Sequence, residues 1–145
     1  MSRFLYLFLL AGCCLAATSG WSQPPQNTPK ADAQPHGSRV TIEGLVRDIA
    51  CPIQNLEATA THLSMKCLRE CARNGSPLVI LTKDGELYLP ISDKMPDTDQ
   101  RQQLMPFLGK YVRVGGTVFE RKGTRAIVIR EIKEIKDVHL DIVEQ

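Results

Sequence analysis

Read as a string of apolar and polar positions, the chain changes character three times. Phe4 to Leu10 is an unbroken apolar run, residues 23–38 offer almost nothing to bury, and from Arg39 onward short apolar periods alternate with turn residues. In Arg39–Val46 (RVTIEGLV), Val40, Ile42 and Val46 alternate with polar or small neighbours, the period of a half-buried strand. Leu78–Thr82 (LVILT) and Glu86–Leu89 (ELYL) flank Lys83-Asp84-Gly85, which predicts a hairpin with Asp-Gly at its turn. Tyr111–Phe119 (YVRVGGTVF) and Arg125–Ile129 (RAIVI) predict two more strands joined across Arg-Lys-Gly-Thr. Ser64–Arg73 (SMKCLRECAR) has a helical period instead, with Ser64 as candidate N-cap and Gly75 as candidate stop. Thr98–Met105 is polar with a late apolar pair, and Pro106 ends or kinks any helix there. Beyond Ile129 no single period holds: Ile132, Ile135, Val138 and Ile142 suit a helix, whereas Val138, Leu140 and Ile142 suit a strand.

Strand, helix, hairpin, helix and two strands is close to the order of an OB-type barrel, which has five strands and a helix between the third and fourth. The expected fold is therefore mainly β with short helices: a small OB-like five-stranded barrel with a cysteine-bearing helix inserted between strands one and two. An open β-sandwich is the alternative. The alternation predicts a core of Val40, Ile42, Val46, Val79, Leu81, Val112, Val114, Val118, Ile127 and Ile129. Gly44, Gly115 and Gly116 lie inside strands, where glycine often marks a bulge or a tight bend.

The N-terminal run is far shorter than the ~20 apolar residues of a membrane-spanning helix. With Arg3 before it and small residues after it, residues 1–22 read as an export signal. Leu10-Ala11-Gly12-Cys13 has the order of a bacterial lipobox, which would make Cys13 a lipidation site; cleavage near Ser19 or Gly20 without lipidation is the competing expectation. Residues 23–38 hold Pro24, Pro25, Pro29 and Pro35, the composition of an extended, solvated linker. The domain is then 39–138, with 139–145 a tail. Such a chain is expected to be exported and periplasmic, anchored to the membrane as a lipoprotein.

Charge narrows the partners. The chain has 18 Lys+Arg and 16 Asp+Glu; residues 1–22 remove only Arg3, leaving 17 against 16. So balanced a domain gives no bulk electrostatic case for nucleic acid. Tyr88, Tyr111 and Phe119 with Arg113, Arg121, Lys122, Arg125 and Arg130 would be the groups for an oligomeric ligand on a strand face, but interleaved acids weaken that case. No Ser/His/Asp order, paired catalytic carboxylates or phosphate-cradling glycine loop stands out, so the chain reads as a binding or assembly protein before an enzyme.

Candidate chemistry concentrates in residues 51–71 (CPIQNLEATATHLSMKCLREC), which hold three of the five cysteines and one of the three histidines. At 3.6 residues per turn, Cys67, Leu68, Cys71 and Ala72 share one face of the predicted helix, pointing at the domain, and Lys66, Arg69, Glu70 and Arg73 share the other. Cys51 follows the first strand; His62 precedes the helix and is free to swing toward the same point. Buried inert thiols fit three cysteines in an exported domain poorly. A disulfide from Cys51 to Cys67 or Cys71 suits an oxidising compartment and would contribute roughly 2–4 kcal/mol, but strands the third thiol. Cys67–Cys71, on successive helical turns, has poor disulfide geometry. A metal site of Cys51, His62, Cys67 and Cys71 accounts for the odd count, and such soft ligands suit Cu(I) or Zn. The spacing C-x15-C-x3-C matches no standard zinc finger, and there is no C-x-x-C-H or C-x-x-C. Metal binding is placed ahead of the disulfide. Met65, about 160° from Cys67 on the helix, is expected to pack; Asp48 either ends its strand or hydrogen-bonds the site or a nearby amide; His36 and His139 are expected in solvent.

The run Gly44-Leu-Val-Arg-Asp48-Ile-Ala-Cys51, then His62, Cys67-Leu-Arg-Glu-Cys71, Gly75-Ser-Pro77 and Asp84-Gly85-Glu-Leu-Tyr88 resembles a mostly uncharacterised group of small exported bacterial proteins described as OB-like domains with a Cys/His cluster. The likeness spans about residues 40–130. It implies a fold and a cluster and supplies no activity. Two functions are carried forward: an exported or membrane-tethered protein that binds or delivers a thiophilic metal, and a disulfide-stabilised OB-like module that binds a protein or an oligomeric ligand.

Overall fold

Strand alternation and turn chemistry close this chain into a barrel. A computed structural model of the protein describes residues 36–143; the segments expected to be an export signal with a lipobox at Cys13, and most of the expected linker, lie outside the described residues. The elements run β1 (Ser38–Asp48), α1 (Ala50–Gln54), β2 (His62–Ser64), α2 (Met65–Arg73), β3 (Leu78–Thr82), β4 (Leu87–Pro90), α3 (Arg101–Leu104), a 3-10 turn (Met105–Phe107), β5 (Tyr111–Arg121), β6 (Thr124–Glu134) and β7 (Asp141–Val143). Five of the strands form a closed barrel in the order β1-β3-β4-β6-β5, with β5 returning to β1. All neighbours are antiparallel except β4 and β6, which run parallel. This is the OB-like arrangement, mainly β with short helices, and closure leaves the barrel without a free edge.

The sequence rules act where expected. Ser64 caps α2, its hydroxyl accepting the Cys67 N–H at 3.3 Å. At the other end Gly75, with φ +88°, turns the chain out of the helix, and the Ser76 N–H returns to the Cys71 carbonyl at 3.0 Å. Only glycine adopts that φ at little cost. At Gly44, a Cβ would fall on the Leu81 carbonyl oxygen, so the close approach of β1 to β3 requires the bare backbone. The pairing of β5 with β6 shifts register between Gly115 and Gly116, a bulge that helps a small barrel bend.

Two apolar clusters flank the sheet. The barrel interior is packed by Val46, Leu78, Ile80, Tyr88, Leu104, Val112, Val114 and Ile127, with Val40, Ile42, Val118 and Ile129 partly buried against them. Outside it, Leu45, Ala60, Leu63, Leu68, Leu81 and Tyr111 form a second cluster under the segment inserted between β1 and β3. This corrects the phase expected for β3. Val79 and Leu81 are buried, but on the outer side; Leu78 and Ile80 point inward. The insertion covers the outer face, so LVILT is buried throughout and its alternation carries no mark of which side is in.

The insertion holds more than the predicted helix. α1 forms despite Pro52, which occupies the first turn, where a backbone N–H has no helical partner to lose. β2 pairs in parallel with β7, so residues 139–145, left without an element by their pattern, contain a strand that docks beside His62–Ser64. β6 likewise runs to Glu134, past the predicted end at Ile129. No helix among the described residues is long and apolar enough to cross a membrane.

Candidate metal centre

The three cysteines are brought together by two short helices. Cys51 sits in the first turn of α1; Cys67 and Cys71 lie one helical turn apart on α2. Their Sγ atoms all lie within 4.8 Å of one another, and Cys51 Sγ and Cys67 Sγ are 3.3 Å apart, in hydrogen-bond contact. All three are free thiols. Three sulfurs this close, able to lose their protons to one ion, are capable of coordinating a metal.

Their exposure differs from the helical-wheel expectation. Leu68 and Ala72 are each 1 % exposed and form the buried stripe of α2. Cys67 is exposed and Cys71 half-buried, because each precedes its apolar neighbour by 100° around the helix and falls on the flank that faces α1. The thiols therefore line an opening at the protein surface. Ile53, 62 % exposed, and Leu56, 91 % exposed, follow Cys51 at this same end of the insertion.

His62 is not a member of the group. Its Nδ1 lies 2.7 Å from Asp141 Oδ2, a hydrogen bond across β2 and β7. Sequence could not supply this partner, since Asp141 lies 79 residues away in a tail without a legible element. Met65 packs over Gly109 beside Leu68 and joins the second apolar cluster, away from the sulfurs. His36 and His139 are exposed.

Asp48, the last residue of β1, is fully buried. Its Oδ2 accepts the Cys51 backbone N–H at 2.9 Å, which fixes the start of α1 to the barrel. Oδ1 is buried with no hydrogen-bond partner among the described residues. The neighbouring Arg47 is 2 % exposed and donates from Nη1 to the Thr59 carbonyl at 2.8 Å, holding the insertion from the outer side. A buried arginine beside a buried aspartate is a signal that lay in the sequence, at the end of an otherwise apolar strand, and its meaning needed the fold.

The electrostatics follow from this geometry. Burial, the hydrogen bond with Cys67 and the Asp48 carboxylate push the Cys51 thiol up to about 12. Burial, followed by the charges of Asp48 and Cys67, raises the Cys71 thiol as well. Without metal these two thiols keep their protons at neutral pH, and a metal must displace them.

Of the groups considered for a stacked oligomeric ligand, two tyrosines are buried and three arginines are paired, while Arg121 and Lys122 are exposed. Tyr88 and Tyr111 are 9 % and 4 % exposed, and the Tyr88 hydroxyl donates to Glu86 at 3.0 Å. Arg113 pairs with Glu43, Arg125 with Glu86 and Glu120, and Arg130 with Asp93. Phe119 is half-buried.

No family model, no curated protein and no solved structure matches the chain. The resemblance drawn from the motif run therefore assigns no family, and what the chain is remains a small OB-like β-barrel domain with a clustered cysteine motif.

Proposed function

We propose that this domain binds one thiophilic metal ion, Cu(I) or Zn(II), through Cys51, Cys67 and Cys71, and holds it at the protein surface for delivery to a partner. The observation that carries this function is the mutual approach of three sulfurs within 4.8 Å, with Cys67 exposed. Cu(I) is well served by soft thiolates alone, whereas tetrahedral Zn(II) would need a fourth donor from water or a partner. With His62 outside the group of sulfurs, a set of three thiolates favours Cu(I). The raised thiols at Cys51 and Cys71 speak against thiol catalysis, which works with depressed values, and their protons are a cost that a bound metal would have to overcome. Residues 1–38 support an exported setting: the signal and the lipobox at Cys13 would place the protein in the periplasm on a lipid anchor, with the Pro-rich linker as tether.

The 3.3 Å approach of Cys51 and Cys67 favours one alternative. Oxidised, this pair would staple the insertion and leave an OB-like interaction module for a protein or oligomeric ligand, with Cys71 unpaired. Native mass spectrometry of the purified protein separates the two. A mass gain of one Cu or Zn that a chelator removes supports the metal site. A loss of two hydrogens, indifferent to chelator and reversed by reductant, rejects it in favour of the disulfide.

A further inference from the structure

Capping alone does not account for Asp48. One carboxylate oxygen takes the Cys51 N–H, a contact that Asn or Ser also serves, but the other is buried and unpartnered among the described residues. Asp48 joins none of the ion pairs among the described residues. Strand alternation puts it on the side of Val46, whereas Arg47 points the other way, to the Thr59 carbonyl. A buried carboxylate without a counter-charge is strongly unfavourable unless a cation stands nearby. The structure offers such a place at the three sulfurs, whose first member Asp48 holds by its backbone.

We propose that Asp48 is the charge-setting residue of the cysteine site: it positions Cys51 and adds one buried negative charge outside the ligand set, biasing the site toward doubly charged soft ions over singly charged ones. This rests on the metal-binding function above and adds to it what selects among metals. The three thiolates alone favour Cu(I); Asp48 tilts that preference back toward Zn(II) and similar divalent ions. The physical basis is the proportionality of Coulomb energy to ion charge. Neutralising Asp48 removes twice as much of this attraction from a divalent ion as from a monovalent one. Any loss of packing weakens both ions alike and cancels in the ratio of the two affinities.

The test measures Cd(II) and Ag(I) affinities of the full chain by competition under oxygen-free, reducing conditions, for the wild type, Asp48→Asn, Asp48→Ser and Asp48→Glu. Asn and Ser keep an acceptor for the Cys51 N–H and lose the charge; Glu keeps the charge. With one unit of ion charge at several ångströms and an effective dielectric constant of about 20, the Cd(II)/Ag(I) ratio should fall roughly 10- to 100-fold in the neutral variants. It should stay near the wild-type ratio in Asp48→Glu. Circular dichroism identifies which neutral variant folds, and the ratio is read on that one. A ratio unchanged in a folded neutral variant, with both ions weakened alike, overturns the proposal and makes Asp48 a cap only. A wild type that binds neither ion overturns the metal-binding function and this inference with it.

Discussion

Single replacement of each cysteine by serine, set against His62→Ala, tests the cysteine site at its most exposed point. The three sulfurs are mutually within 4.8 Å and His62 lies outside that group, so the expectation is three losses and one survivor. Structural thiolate sites with four ligands bind Zn(II) with about 10–16 kcal/mol, or roughly 3–4 kcal/mol for each ligand. Removing one sulfur should therefore weaken binding about 10²- to 10³-fold, at about 1.4 kcal/mol for each tenfold. Cys67→Ser gives the cleanest number, because Cys67 is exposed and its loss opens no cavity. His62→Ala removes a pair whose side chains are 37 % and 67 % exposed, worth at most about 1 kcal/mol of stability. Its effect on metal affinity should stay below the roughly 10-fold at which even an indirect partner of a metal site is felt.

Affinities by competition with a chromophoric chelator, at fixed pH and with a non-thiol reductant, provide the assay. A 10²-fold loss in His62→Ala would refute the three-sulfur set and return the imidazole to it. A pattern in which Cys71→Ser is silent while Cys51→Ser and Cys67→Ser each lose about 3 kcal/mol of stability in oxidised protein would refute the metal site altogether. That magnitude is what closing a loop of this length by a disulfide contributes.

Other expectations concern the barrel, pH and the N-terminus. Leu104, fully buried in the barrel interior, should cost about 2–5 kcal/mol as Leu104→Ala, while Met105→Ala, at a side chain 42 % exposed, should stay within about 0.5 kcal/mol; urea unfolding compares them. Metal-free protein should lose stability as pH rises from 9.0 toward about 12, because Cys51 keeps its proton in the fold after the unfolded chain has released it. Alkaline urea titrations of wild type and Cys51→Ser should differ in that window and coincide below it. Finally, labelled fatty acid should be incorporated by the full-length protein in a bacterial host and lost in Cys13→Ala; an unlabelled mature protein beginning near Gly20 would reject the lipid anchor.

How much of this was legible in the chain depends on the range over which each feature is set. The barrel strands and the capped helix are written locally, in period-2 runs, Asp-Gly turns, Ser64 and Gly75, so element order alone led to the barrel. The clustering of Cys51, Cys67 and Cys71 was also readable, because one short insertion carries all three. Three other features depend on pairing between distant segments. The inward side of β3 hides in a run buried on both faces. The partner of His62 lies 79 residues away on a three-residue strand too short to show a period. The exposure of Cys67 was misjudged because the wheel groups residues by face, and a thiol 100° from the buried stripe belongs to the edge.

The division of labour between barrel and insertion explains why an odd number of thiols is tolerable here. All three sulfurs hang on α1 and α2, outside the barrel, while the barrel contributes the carboxylate of Asp48 at the end of β1. The insertion is held independently of any metal: Arg47 to Thr59, the Ile49 N–H to the Pro77 carbonyl at 3.0 Å, β2 on β7, and Leu63 with Leu68 in the outer cluster. The sulfurs therefore need not supply folding energy, unlike those of a zinc finger, which folds only around its ion. A fold complete without metal could lose and regain one, as the proposed function requires. In the proposed role, exposure of Cys67 at the surface would give an incoming ligand a sulfur to displace, and buried Asp48 would oppose release of the cation. Those two features pull in opposite directions, and a site that passes its ion on needs both.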